Sequence, residues 1–249
     1  MLVMGILNTT PDSFADGGEH FTYPDAVDHG LKLIAEGADI IDVGGESTRP
    51  GAERVSPAEE ERRVINVISK LADAGKPISI DTMRASTARA AVIAGASIIN
   101  DVSGGLADAE MLDTAAELQV PYIAMHWRGH SKEMNRLAVY KNVVDEVIAE
   151  LNLRVEAALS AGVSKSNLII DPGIGFAKEP ADNWAIIEEI GQFVALGYPV
   201  LVGASRKRFL GGDDPTSREV ATVELTKRLS QSGIWAVRVH GVAANKAVL

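Results

Sequence analysis

Cysteine is absent from this chain of 249 residues. Its absence excludes disulfide bonds, thiolate metal ligands and a cysteine nucleophile, and it leads us to expect a cytoplasmic location. Cations are also scarce, since 24 lysines and arginines face 34 aspartates and glutamates, for a formal net charge of −10. Because so acidic a surface repels nucleic acids and anionic membranes, we expect neither as a partner. An anionic ligand would therefore have to meet a local group of cations.

Long apolar runs are missing too. No run approaches the ~20 residues that a helix needs to cross a bilayer, so we expect no membrane span. The apolar start, residues 1–8, runs directly into polar sequence and is interpreted as a first strand. With no internal linker or low-complexity tract, residues 1–249 are predicted to form one domain.

Short apolar runs rich in valine and isoleucine are present instead, with helical periodicity between them. They occur at residues 2–7, 39–43, 77–80, 97–99, 121–125, 168–170, 199–202 and 235–239. Because the runs are continuously apolar, they indicate strands that are buried on both faces. Eight strands that alternate with helices predict a (β/α)8 TIM barrel, and a doubly wound open sheet is the alternative.

Glycine occupies six of the seven joints at which a predicted helix ends before the next strand. These residues are Gly37, Gly75, Gly95, Gly162, Gly197 and Gly233. Glycine enters the left-handed backbone conformation without a clash of its Cβ atom, which suits the end of a helix. We therefore predict left-handed helix ends at all six positions.

Polar side chains follow each predicted strand, and in a barrel these strand ends converge on one mouth, where active sites are assembled. His126, for example, follows the fifth strand. Three carboxylates and two amides are expected at this mouth: Asp81, Asp101, Asp171, Asn8 and Asn100. Such groups suit the N–H donors of a flat heterocycle of the guanine or pterin kind. The alternative for each aspartate is a helix N-cap.

Cations gather after the last two predicted strands, where phosphate sites of such barrels usually form. The segment 205–208 reads SRKR, and the segment 238–240 reads RVH. Alternation along the last strand places Arg238 and His240 on the same side. We therefore predict an anion site that includes Arg206 and Lys207, whereas Arg208 is expected to face solvent or an acidic neighbour.

Two segments rich in Gly, Pro, Ser, Thr and Asp, residues 8–21 and 44–57, follow the first and second strands. Connections in α/β units are usually only ~2 to 6 residues long. The extra length indicates lids over the mouth, and a plain flexible connection is the alternative.

Seven motifs in this order resemble those of the dihydropteroate synthase family of the folate pathway, which sulfonamides inhibit, and they cover nearly the whole chain. They read MGILNTTPDSFADGG, DVGGESTRPGA, SIDTMR, INDVSGG, DPGIGFAK, GASRKRFLG and RVH, and the segment HWRG at 126–129 resembles the actinobacterial branch. The resemblance implies a transferase that joins 6-hydroxymethyl-7,8-dihydropterin pyrophosphate to p-aminobenzoate, by dissociative loss of Mg-pyrophosphate. It also implies Mg²⁺ as cofactor and a homodimer.

Residue by residue, the resemblance implies contacts with each part of the two substrates. The pterin would contact Asp81, Asn100, Met125, Asp171, Arg206 and Lys207. The phosphates would contact Arg49, Arg238 and His240, and their Mg²⁺ would contact Asn8. The p-aminobenzoate pocket would include Thr48, Pro50, Phe176 and Ser205, and the two lids would bring Phe14, Asp16 and Arg49 inward. Of these residues, the catalytic set would comprise Asp81, Lys207, Arg238 and His240.

The chain departs from the family pattern in two places. Gly241 stands where the family usually has aspartate, and only nine residues follow His240, which predicts a short final helix. Two alternative functions share the pterin motifs. One is a methyltransferase that moves a methyl group from a folate to a corrinoid protein, and it would not need the STRPG, SRK and RVH motifs. The other is a non-catalytic pterin-binding paralogue, which should have lost one of Arg49, Lys207, Arg238 or His240.

Overall fold

The strands of this computed structural model, which describes residues 1–10, 23–47, 54–130 and 133–249, form one parallel eight-stranded sheet. In chain order they are β1 Leu2–Asn8, β2 Ile40–Gly44, β3 Ile78–Asp81, β4 Ile98–Asp101, β5 Tyr122–Met125, β6 Leu168–Asp171, β7 Leu201–Val202 and β8 Ala236–Val239. The spatial order is β6-β5-β4-β3-β2-β1-β8-β7. A parallel bridge between Ile170 and Val200 brings the two edges together. The predicted (β/α)8 barrel is therefore confirmed.

Helices follow the strands on the outside of the barrel. They are α1 Tyr23–Ala35, α2 Pro57–Ala72, α3 Ala85–Ile93, α4 Met111–Leu118, α5 Val143–Ala161, α6 Pro180–Glu188, α7 Ile190–Val194, α8 Ser217–Leu229 and α9 Val242–Lys246. The last of these spans only five residues, as predicted, and buries Val242 and Asn245. Within the described ranges, no helix combines the length and the apolar character needed to span a membrane.

The two faces of the strands bury different apolar clusters, because side chains alternate along a strand. The outward faces pack with the helices in one large core. The inward faces form a second cluster that fills the lower part of the barrel: Met4, Ile40, Ile98, Ile123, Ile169, Leu201 and Ala236. This apolar layer forms a floor beneath the carboxyl ends of the strands.

The helix ends follow the glycine pattern of the sequence. All six predicted glycines have positive φ, between 72° at Gly75 and 115° at Gly95. The seventh joint, between α4 and β5, has no glycine, yet Gln119 adopts the same left-handed conformation there, with φ of 55°. The geometry of the joint is thus required by the fold even where the sequence does not provide the residue that adopts it most easily.

Candidate active site

A polar layer lies directly above the apolar floor, two residues further along several of the strands. Arg238 of β8 donates from Nε to Asp42 Oδ2 at 2.5 Å and from Nη2 to Asp81 Oδ2 at 2.6 Å. Asn100 of β4 donates to the same oxygen of Asp42 at 3.1 Å. Side chains of β2, β3, β4 and β8 are therefore joined in one network inside the barrel.

The groups of this network shift one another's pKa values. Burial raises the pKa of Asp81 to about 7, although the guanidinium of Arg238 acts against this rise. Burial also acts to lower the pKa of Arg238, but Asp42 and Asp81 outweigh it and the pKa lies above its usual value. Arg238 therefore stays charged, whereas Asp81 changes its charge near neutral pH. A carboxyl group shifted in this way, at the mouth of a barrel, is a candidate functional residue.

A second pair of charges, Asp171 and Lys207, comes from the ends of β6 and β7. The backbone N–H of Gly173 donates to Asp171 Oδ1 at 2.7 Å, and burial raises the pKa of this carboxyl group. The ammonium of Lys207 donates to the carbonyl of Ile174 and lies 4.4 Å from the ring centroid of Phe176. Burial lowers the pKa of Lys207 to about 8, against the effect of Asp171. This lysine is thus poised to lose its proton just above neutral pH.

His240 and Ser205, which follow β8 and β7, contact each other. The backbone N–H of His240 donates to Ser205 Oγ at 3.1 Å, and the same oxygen lies 3.0 Å from His240 Nδ1. Ser205 is buried. The hydroxyl group therefore fixes both the backbone and the ring of the histidine.

Arg206 has a different environment from its neighbours. It adopts a left-handed backbone with φ of 58°, and its Nε donates to Glu219 Oε2 of α8 at 2.5 Å. The guanidinium therefore lies against the outer helix, and the predicted stacking on a ligand ring stays a prediction.

The carboxylate of Glu219 also fills the space beside Gly241. A Cβ atom added at Gly241 would overlap Glu219 Oε1. That same oxygen accepts a hydrogen bond of 3.2 Å from Asn245, whose amide also donates to the carbonyl of Gly241 at 2.7 Å. A carboxylate is thus present at the end of β8 although residue 241 has no side chain, and it comes from α8.

Two polar residues of the predicted mouth are engaged elsewhere. Asp101 is fully buried and accepts hydrogen bonds from the backbone and hydroxyl of Ser103, the backbone of Gly105 and the hydroxyl of Tyr122. It organises the turn after β4 instead of lining the ligand cavity, and it is not a helix N-cap either, because α4 begins only at Met111. His126 is buried between α5 and the loop after β6, where its ring nitrogens contact Glu150 and Lys178.

The remaining predicted residues lie at the mouth or outside the described ranges. Met125, Met83 and Val102 form a small apolar cluster, with Phe176 packed against it, at the ends of β3 to β6. Asn8 is half-buried at the end of β1. Five predicted residues fall in segments outside the described residues: Phe14, Asp16, Thr48, Arg49 and Pro50.

The two ends of the predicted lid at 44–57 are tied to each other and to the barrel. Glu46 accepts hydrogen bonds from Arg54 Nε at 3.0 Å, from the backbone of Val55 at 3.0 Å and from Arg84 Nη2 at 2.8 Å. Arg84 also pairs with buried Glu60 of α2. The ends of this connection are therefore anchored through a network of charges.

Comparison with known proteins identifies the family to which a chain with this site belongs. The family model described as "Pterin binding enzyme" matches residues 4–240. The chain belongs to the pterin binding enzyme family.

Individual members of this family resemble the chain over nearly its whole length. A dihydropteroate synthase of Mycobacterium leprae is 49% identical, with 98% of this chain and 89% of that protein covered. A Xanthomonas albilineans dihydropteroate synthase solved with 4-aminobenzoic acid superimposes with a TM-score of 0.93 at 46% identity, covering 99% of this chain and 90% of that one. The same enzyme in complex with 7,8-dihydropteroate gives a TM-score of 0.89 at 43% identity, with the same two coverages. These relatives confirm the transferase of folate biosynthesis that the motifs predicted.

Sequence reasoning missed one residue at the centre of the pterin-binding barrel. Asp42 is fully buried, and its Oδ2 accepts from both Arg238 and Asn100. The signal was present, because Asp42 lies inside the run DIIDV, directly after Ile40 and Ile41, and a buried charge needs a partner. Its alternation with Ile40 also places it on the inner face of the barrel.

Proposed function

We propose that the barrel mouth joins 6-hydroxymethyl-7,8-dihydropterin pyrophosphate to p-aminobenzoate and releases pyrophosphate. The observation that carries this proposal is the polar layer of Arg238, Asp42, Asp81 and Asn100 above the apolar floor, with the charges of Asp171 and Lys207 near it. These groups offer acceptors for ring N–H groups and cations for an anionic tail at one mouth. The 4-aminobenzoic acid and 7,8-dihydropteroate bound by the solved relatives correspond to one substrate and the product.

In this proposal the carboxylates recognise the pterin through its amino and ring N–H donors. Burial raises the pKa values of both Asp81 and Asp171, so each ionised carboxylate lacks part of the stabilisation that water would give. A ring that donates hydrogen bonds would restore that stabilisation and would therefore bind strongly. Asn100 would add an amide contact and Met125 an apolar wall, whereas Phe176 would belong to the p-aminobenzoate pocket.

The chemistry is proposed to begin with loss of pyrophosphate from the pterin methylene carbon. The electrons of the breaking C–O bond leave with the pyrophosphate, and the pterin cation that remains is stabilised by its own ring and by the carboxylates of Asp81 and Asp171. The amine of p-aminobenzoate then attacks this carbon and loses a proton. Lys207 and His240 would stabilise the departing anion. Arg49, which is not among the described residues, would do the same.

His240 is suited to this role by its bond to Ser205. When the serine hydroxyl donates to Nδ1, the ring carries its proton on Nε2 and can direct that N–H towards an anion. Arg238 is proposed to act at the pterin end, because Nε and Nη2 are directed at Asp42 and Asp81. Its predicted contact with the phosphates stays a prediction, as does the stacking of Arg206.

We propose Mg²⁺ as the cofactor, held by Asn8 together with oxygens of the substrate. No group of three or more acidic or histidine side chains within the described ranges could hold a metal ion by itself. This donor set fits Mg²⁺, which usually keeps waters and binds through one or two protein oxygens plus phosphates. When bound, the ion would neutralise charge on the pyrophosphate. The homodimer and the cytoplasmic location are further proposals, which gel filtration and cell fractionation would test.

The proposed reaction is tested by measuring release of pyrophosphate with both substrates and Mg²⁺. We expect release that depends on p-aminobenzoate in the parent protein. His240→Ala should slow it while calorimetric titration still detects binding of a free pterin. Asp171→Ala should abolish that binding. If the parent binds no pterin and releases no pyrophosphate, the proposed function is wrong, and if both variants match the parent, the residue roles are wrong.

A further inference from the structure

The loop between β6 and α6, residues 172–179, carries much of the proposed site. Its Gly173 N–H binds Asp171, its Ile174 carbonyl accepts from Lys207, and its Phe176 ring packs against that ammonium. Any shift of this loop would therefore move contacts to two charged residues and one wall of the pocket. What holds the loop in place thus bears directly on substrate binding.

Lys178 lies at the end of this loop and turns back beneath it. Its Nζ donates to the carbonyls of Gly173 and Phe176, both at 3.1 Å, and lies 2.9 Å from Nδ1 of His126. Burial lowers the pKa of Lys178 to about 7, and below that pH these three acceptors match the three N–H donors of the ammonium group. The side chain therefore completes its hydrogen bonds within the protein and does not need a ligand.

His126 is held in the form that accepts from Lys178. Burial lowers the pKa of His126 to about 4, so the ring is neutral near pH 7. Its Nε2 lies 2.9 Å from Glu150 Oε2 of α5, and a carboxylate can only accept a proton there, which leaves Nδ1 as an acceptor. Arg128 also donates to Glu150, from Nη2 at 2.5 Å, and fixes this carboxylate in turn.

A third contact acts on the same loop from another side. Tyr140 donates from its hydroxyl to the carbonyl of Ala177 at 2.8 Å, and the guanidinium of Arg128 lies 3.9 Å from the centroid of its ring. Ala177 adopts the left-handed backbone with φ of 46°. A residue with a Cβ atom takes this conformation only at an energetic cost, so surrounding contacts must hold it.

We propose that Lys178 and His126 form a positioning pair that fixes the loop 172–179, and with it Phe176, for binding of p-aminobenzoate. This inference rests on the proposed function for the identity of that substrate. The pair acts through backbone carbonyls and touches no reacting atom, so its loss should weaken binding more than it slows the chemical step. Tyr140 supports the same loop from the Ala177 carbonyl.

The test is steady-state kinetics of Lys178→Met, with the KM for p-aminobenzoate and kcat measured separately. We expect the KM to rise about tenfold with kcat within about twofold, because a displaced wall removes binding that the ground state and transition state share. Lys70→Met, which removes an exposed lysine of α2, is the matched control and should leave both constants unchanged. A purely structural role would lower the active fraction, and therefore kcat, at unchanged KM.

Variants of His126 and Tyr140 keep the inference testable if Lys178→Met does not fold. His126→Asn retains an acceptor near the Nδ1 position and should raise the KM less than His126→Leu, which removes it. Tyr140→Phe deletes a single hydroxyl and should raise the KM about threefold, the size expected for one hydrogen bond. In a Phe176→Ala background, Lys178→Met should add little to the KM, because the lysine acts through that ring.

The outcomes separate this inference from the proposed function. If the parent turns over but Lys178→Met, His126→Leu and Tyr140→Phe all keep its KM, the positioning pair is refuted. If the parent releases no pyrophosphate, the proposed function is wrong, and titration with a free pterin then decides the inference, since Asp171 and Lys207 lie against the same loop. Unchanged pterin affinity in all three variants would refute it in that case.

Discussion

Replacement of Asp42 by asparagine tests the network inside the barrel most directly. The change keeps the size of the side chain and one carbonyl oxygen but removes the negative charge that faces Arg238 at 2.5 Å. Asp42 is fully buried, and the side chain of Arg238 is 20% exposed, so water cannot replace the lost interaction. Asp81 still pairs with the guanidinium of Arg238, so the positive charge loses only one of its two carboxylate partners.

The expected loss of stability follows from the buried ion pair between Asp42 and Arg238. Breaking a buried ion pair costs about 3 to 5 kcal/mol when the remaining charge has no other partner. Because Arg238 keeps Asp81, we expect a loss of about 3 kcal/mol in the free energy of unfolding, at the lower end of this range. For a chain of this size that corresponds to a fall in Tm of about 6 to 12 °C. Pterin affinity should fall as well, because Asn100 loses the charge of its acceptor.

The assay is thermal unfolding combined with calorimetric titration of a free pterin. Glu117→Gln is the matched control, since it also converts a carboxylate that pairs with an arginine, Arg89 at 2.7 Å, but on an exposed surface. We expect no measurable change in its Tm, because exposed ion pairs contribute little. If Asp42→Asn unfolds and binds like the parent, as the control should, the buried network is not what organises the barrel interior.

Two further predictions concern the end of β8 and the dependence on pH. Gly241→Ala should lower the Tm because the added methyl group overlaps Glu219, and combining it with Glu219→Ala should cost less than the sum of the single changes; additive losses would contradict the contact. In the free enzyme, kcat/KM for the pterin substrate should rise through pH about 7, where Asp81 ionises, and fall above about 8, where Lys207 loses its proton. Lys207→Met should remove the alkaline decline, and a parent profile that is flat from pH 6 to 9 would contradict both pKa shifts.

The outline of the barrel could be predicted because its signals are local. Continuous apolar runs predicted all eight strands within one or two residues of their observed ends. Glycine predicted six left-handed helix ends, and Gln119 escaped prediction because its side chain gives no comparable signal. At that joint the path of the chain, and not the intrinsic preference of the residue, decides the conformation.

The candidate site was only partly predictable, because polar residues at strand ends look alike in a sequence. Asp81 and Asp171 face inwards, whereas Asp101 faces outwards and organises a turn, since neighbouring positions on a strand point to opposite faces. His126 was expected at the mouth with them, yet it packs beneath the loop 172–179. The partner of Arg206, Glu219, comes from a helix that no strand-end pattern includes.

The sequence by itself determined the alternation of strands and helices, the family motifs and the residue types that gather at the mouth, because these depend on patterns between neighbours in the chain. Only the tertiary structure decided which charges pair. Asp42 and Arg238 are separated by 196 positions and meet because β2 and β8 both flank β1. Ion pairs form between groups that are close in space, and a closed barrel brings the first and last strands together. The packing of the whole barrel therefore decides which cations pair with carboxylates of the protein and which can bind an anionic ligand.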